Sequence, residues 1–123
     1  MYTLDTNAFL YYLKDDTAAV AVLRGIFAET SALYISAITE LELFAYSDLS
    51  LDEEALIEEL LATISVIPVD SRIARLAAFV RRRHRLKVPD SVIAATAMFT
   101  GSKLLTRNTR DFRNIPNLTV LKV

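Results

Sequence analysis

Tyr2-Thr3-Leu4-Asp5-Thr6-Asn7-Ala8-Phe9 opens on a short β-rich run, closes it with an acid, and passes directly into a helical pattern. The same alternation recurs down the chain. Further β-rich runs at residues 33–36, 65–69, 103–106 and 118–121 are separated by helical patterns at 8–13, 17–29, 38–46, 51–63, 71–85 and 89–100. Strands separated by helices predict an α/β fold whose central, mainly parallel sheet is covered on both faces. In such a sheet ligands bind outside the carboxyl ends of the strands, which puts Asp5 at the functional edge. Boundary signals agree with this segmentation. Ser50 followed by Glu53 reads as a capping box, Pro89 suits a first helical position, and Gly101 suits a helix stop.

Composition bounds the rest. The 123 residues are 53% hydrophobic and 24% charged, enough for one cored domain over 1–123 and too few for two. Absence of cysteine excludes disulfides, thiolate metal sites and a cysteine nucleophile, and fits a reducing, cytoplasmic compartment. No apolar run approaches the roughly 18 residues of a membrane helix, and the N-terminus lacks signal-peptide character, so a soluble protein is expected. With two glycines there is no Gly-rich phosphate loop, which excludes P-loop and dinucleotide-binding enzymes. A formal net charge of −1 gives no global attraction for nucleic acid, so any such binding must rest on local patches.

Four acids occupy positions that this fold would bring together. Asp5 follows the first strand, Glu42 lies on the helix after the second, Asp90 is in the first turn of the 89–100 helix, and Asp111 follows the fourth strand by a short loop. Glu40 points about 200° away from Glu42 around their helix, so only one of the two can face a shared site. Clustered carboxylates repel unless a divalent cation shares them, and oxygen-only donors select a hard ion such as Mg²⁺ or Mn²⁺. The implied chemistry is metal-assisted hydrolysis of a phosphodiester. A single histidine, His84, rules out a two-histidine acid–base mechanism, and its place in a basic run marks it as an exposed residue rather than a base.

Leu4-Asp5-Thr6-Asn7, Ser36-x-x-Thr39-x-x-Glu42-Leu43, Pro89-Asp90-Ser91-Val92-Ile93-Ala94-Ala95 and Leu105-Thr106-Arg107-Asn108-Thr109-Arg110-Asp111-Phe112 occur in that order. Together they make the whole chain resemble a PIN-domain ribonuclease, specifically the VapC toxin of a VapBC toxin–antitoxin pair. The resemblance implies a single three-layer α/β/α PIN domain with a roughly five-stranded sheet. It also implies a cytoplasmic, Mg²⁺- or Mn²⁺-dependent endoribonuclease that cuts RNA, pairs with a VapB-like antitoxin and forms a homodimer. Asp5, Glu42 and Asp90 match the family's metal-site acids, with Glu42 rather than Glu40 in register. Asn7 would support Asp5, and the Thr106 hydroxyl would line the site. The fourth acid is assigned to Asp111, with Asn108 as a neutral substitute where many relatives carry Asp.

Each residue also has a plainer reading. Asp5 and Asp90 could serve their helices as cap and dipole partner, Glu42 could be solvated, and Asp111 could be a turn residue. Arg81, Arg82, Arg85 and Lys87 precede Asp90 and are candidate RNA-binding cations, as is Arg107; the same arginines could instead offset a helix dipole. Acids at 48, 52, 53, 54, 58 and 59 flank the apolar stripe Leu56, Ile57, Leu60, Leu61 and Ile64, which reads as an amphipathic helix or as the groove for a basic antitoxin peptide. Two other functions fit the same motifs: a PIN ribonuclease of RNA processing without an antitoxin, and a degenerate PIN module that binds RNA or protein without cutting.

Overall fold

A computed structural model describes residues 1–29 and 31–123. Five strands, β1 (Tyr2–Leu4), β2 (Leu33–Ser36), β3 (Ser65–Ile67), β4 (Lys103–Thr106) and β5 (Val120–Lys122), form one sheet in the order β3-β2-β1-β4-β5. Every neighbouring pair is parallel. The helices are α1 (Thr6–Leu13), α2 (Thr17–Ala28), α3 (Ala37–Phe44), α4 (Leu51–Leu61), α5 (Ser71–His84), α6 (Val88–Thr100) and α7 (Thr109–Phe112).

Three of the five strands fall at the expected residues. β3 stops at Ile67, because Pro68 has no N–H to continue a ladder, and β5 begins two residues later than its apolar run. The expected loop before Asp111 is instead the four-residue α7, too short to leave a periodic signal. Pro89 stands second in α6 rather than first, behind Val88.

Alternation along the strands sorts the two faces. Leu105 joins Leu4, Phe9, Leu23, Ile35 and Ile57 in the core beneath α1, α2 and α4. Its neighbour Leu104 points the other way, into the core formed with α5, α6 and α7 through Val80, Ile93 and Phe112. α6 is buried continuously from Ser91 to Ala97, so it needs apolar or internally satisfied residues all round. The Thr96 hydroxyl accordingly donates to the Val92 carbonyl at 2.8 Å.

Side-chain caps start five of the helices. Asp5, Asp16, Ser36, Ser50 and Asp70 each accept from a backbone N–H in the first turn, and Ser50 with Glu53 completes the expected capping box. Sheet order then places the functional crevice. From β1 the chain runs outward to β2 and β3, then returns to β4 on the other side of β1. The topological switch point therefore lies between β1 and β4, whose carboxyl ends carry Asp5 and Thr106.

Candidate active site at the carboxyl edge of the sheet

A cleft of about 380 Å³ opens at this switch point, lined by the polar and acidic residues Asp5, Asn7, Asp90, Asn108 and Asp111 and by His84, Arg85 and Lys87. Asp5 ends β1 and is only 7% exposed. Its Oδ1 accepts from the Ala8 N–H at 2.7 Å, so the same residue caps α1 and lines the cleft. Asp90 sits in the first turn of α6, half-buried.

Glu42 reaches the region from α3. Its Oε1 accepts from the Thr6 hydroxyl at 2.7 Å, and that hydroxyl lies 3.1 Å from the Thr39 hydroxyl. Thr6 therefore fixes the direction of Glu42, a role the sequence reading did not give it. The available signal was its position: a hydroxyl directly after Asp5. Asp111, exposed on α7, accepts from Asn108 Nδ2 at 2.9 Å. Asn108 and Asp111 thus act as one hydrogen-bonded pair rather than as alternatives. The Thr106 hydroxyl accepts from the Asn108 N–H at 3.0 Å, which anchors the turn after β4.

The electrostatics report crowding of negative charge. Burial pushes the Asp5 carboxyl above its ordinary range; the Thr106 hydroxyl and Ala8 N–H oppose this, while the charges of Asp90 and Glu42 add to it. Burial also raises Asp90, with Glu42 and Asp111 adding to the rise and Lys87 opposing it. Asp5, Glu42 and Asp90 are therefore within electrostatic reach of one another, and Asp111 joins them through Asp90. Among the described residues, however, no three acidic or histidine side chains stand close enough to enclose an ion by themselves.

The predicted cations divide. Arg85 and Lys87 line the cleft, whereas Arg81 and Arg82 are exposed on α5 and do not. Arg107, the remaining candidate RNA-binding cation, is not among the residues that line the cleft. It donates to both Asp16 carboxylate oxygens, at 2.8 and 3.2 Å, and to the Val123 carbonyl at 3.1 Å, and it stacks 4.0 Å above the Tyr11 ring. His84 departs from expectation in the opposite direction: it is half-buried and belongs to the cleft wall. A second groove, of about 450 Å³, runs between α1, α2 and α4, lined by Tyr12, Leu13, Val20, Arg24, Leu56 and Leu60.

With this geometry in place, comparison with known proteins is decisive. The PIN domain family model matches residues 2–118. The chain belongs to the PIN domain family. This PIN domain is 28% identical over 123 residues to Ribonuclease VapC19 of Mycobacterium tuberculosis, covering 96% of the chain and 97% of the relative. It is 28% identical over 127 residues to the tRNA(fMet)-specific endonuclease VapC of Salmonella typhimurium, covering 97% and 95%. Among solved structures, a toxin–antitoxin complex from Klebsiella pneumoniae superposes with a TM-score of 0.83 at 30% identity, covering 98% of this chain and 96% of that one. DNA-bound VapBC from Salmonella typhimurium superposes equally well, with a TM-score of 0.83, 26% identity and the same coverage.

Proposed function

We propose that this PIN-domain protein is a metal-dependent endoribonuclease and the toxin half of a VapBC pair. The observation that carries the reading is the cleft itself. Asp5, Asp90 and Asp111 share it at the switch point, and Glu42 stands near enough that its charge raises the affinity of Asp5 and Asp90 for protons. Neighbouring acids in mutual repulsion, with Asp5 buried among them, suit a cation, and an all-oxygen donor set suits Mg²⁺ or Mn²⁺. Because Mg²⁺ usually keeps several waters and binds through one or two carboxylates, the lack of a closed cage is compatible with it. Asp5 and Asp90 would hold the ion, with Glu42 and Asp111 beside them. When bound, the ion supplies an acidified water and offsets charge on the phosphate. Thr6 holds Glu42, which stands beside the cleft without lining it, by a hydrogen bond, Asn108 does the same for Asp111, and the buried end of β1 holds Asp5 still.

The antitoxin assignment rests on the toxin–antitoxin complexes among the structural neighbours, VapBC from Salmonella typhimurium included, and on the groove between α1, α2 and α4. Leu56, 47% exposed, and the half-buried Leu60 offer apolar anchors there, while Asp15 and Glu59 supply acidic partners for a basic peptide. The test is cleavage of total tRNA, initiator tRNA included, in Mg²⁺, Mn²⁺ or EDTA by antitoxin-free protein. Metal-dependent cutting that is lost in Asp5→Asn and Asp90→Asn supports the reading. Metal-independent cutting, or cutting that survives both substitutions, overturns it.

A further inference from the structure

α5 and α6 both end on a residue in the left-handed region, yet only one of the two is glycine. α6 stops at Gly101 (φ 65°), whereas α5 stops at Arg85 (φ 55°). The other non-glycine residues with positive φ among those described are Asp15 and Asn117, whose short polar side chains tolerate this region. Arginine carries the same Cβ crowding of the following carbonyl oxygen without a short polar side chain to compensate it locally. No ion pair offsets this. The two ion pairs among the described residues join Arg72 to Asp70 and Arg107 to Asp16, and the Arg85 side chain is exposed.

Arg85 is one of the residues that line the cleft, together with Lys87, Asp5, Asp90 and Asp111. A polyanion entering a cleft walled by acids is repelled, and the two unpaired cations of the α5–α6 turn are the groups placed to counter that. We propose that this turn is a phosphate clamp in which Arg85 and Lys87 hold RNA phosphates adjoining the scissile one, and that the strained backbone at position 85 is retained for its guanidinium. The inference rests on the ribonuclease reading above. A guanidinium suits the task because its planar fork matches two phosphate oxygens, while the Lys87 ammonium adds a point charge. Function and stability then conflict at position 85, since glycine would serve the backbone better and arginine serves the substrate.

That conflict is directly measurable with Arg85→Gly, Arg85→Gln and Lys87→Gln. Chemical unfolding is followed alongside binding of fluorescein-labelled initiator tRNA across a salt series, with cleavage kinetics on the same RNA. Arg85→Gly is expected to unfold at higher denaturant than the wild type, and Arg85→Gln at the same concentration. All three variants should bind tRNA about tenfold more weakly at low salt. Their plots of log Kd against log salt should be shallower by about 0.7 to 0.9 per lost phosphate contact. Cleavage should show a raised KM with kcat largely kept. If Arg85→Gly is destabilised, the side chain is structural and the clamp is wrong. Unaltered affinity and salt slope in Arg85→Gly and Lys87→Gln would also overturn it while leaving the ribonuclease intact. If the wild type neither binds nor cuts RNA, it is the ribonuclease reading that fails.

Discussion

Asp5 holds a helix and faces a cleft with the same carboxyl group, and substitutions can separate those two duties. Asn keeps an oxygen for the Ala8 N–H, so Asp5→Asn should fold normally and lose on the order of 10²-fold or more in cleavage rate. Asp5→Ala should lose the cap as well, at about 1 kcal/mol by denaturant titration. The raised proton affinity of Asp5 also sets a sign. A carboxyl whose pKa is higher folded than unfolded favours the fold when protonated, and that contribution fades as pH rises through the folded pKa. Metal-free Asp5→Asn should therefore be more stable than the wild type at neutral pH. The gap should close as pH falls below the ordinary carboxylate range, and a gap that widens in acid would contradict the argument. Thr6→Val tests the aiming of Glu42: a loss of about 10- to 100-fold in activity with an unchanged unfolding midpoint is expected. At this scale the sequence was readable where a residue's environment follows from its position in the alternation, as for Asp5 and Asp90. It was unreadable where a role depends on contact between distant elements. Thr6 meets Glu42 across 36 positions, and Arg107 meets Asp16 across 91.

Elements were legible to the extent that they repeat. Helices of eight or more residues carry their period in the sequence, and all of these but α6 carry a side-chain cap; α7, at four residues, carries neither and could not be foreseen. Gly101 was readable because a left-handed stop has a characteristic residue, whereas the stop at Arg85 was hidden behind an atypical one. Gly101→Ala meets no steric neighbour, so its cost should be the backbone strain alone, about 1 kcal/mol by denaturant titration. The tie from α2 to the turn after β4 makes a prediction in acid. The Arg107 guanidinium and the Ala19 N–H hold the Asp16 carboxyl down at about 2, so its stabilising contribution is complete above the ordinary carboxylate range. It is lost as pH falls through that value. Arg107→Gln should therefore lower stability at neutral pH and flatten the acid limb of the stability curve. Because Arg107 is not among the cleft-lining residues, the affinity for RNA should not change, and a marked loss would make it a substrate contact.

For the molecule as a whole, the strongest expectation concerns the ion. Mg²⁺ that binds only the folded protein should raise its stability by about 2.7 kcal/mol at a hundredfold excess over Kd, and Asp5→Asn and Asp90→Asn should abolish the gain. A stabilisation by Mg²⁺ that persists in both variants would place the ion elsewhere. The α/β architecture and its parallel sheet followed from the alternation of short and long patterns, because strands joined by helices have few other ways to bury both faces. Strand order did not follow from it, and the order is what makes a site. β1, among the earliest residues in the chain, is the middle strand, and its Tyr2 and Leu4 pair with Lys103 and Leu105. A nascent chain leaving the ribosome thus holds Asp5 for roughly a hundred residues, about 5 to 20 seconds of synthesis, before the strand that completes its cleft exists. Throughout that interval one wall of the cleft is missing, so the site cannot assemble on the growing chain until the residues that carry Asn108 and Asp111 have been made.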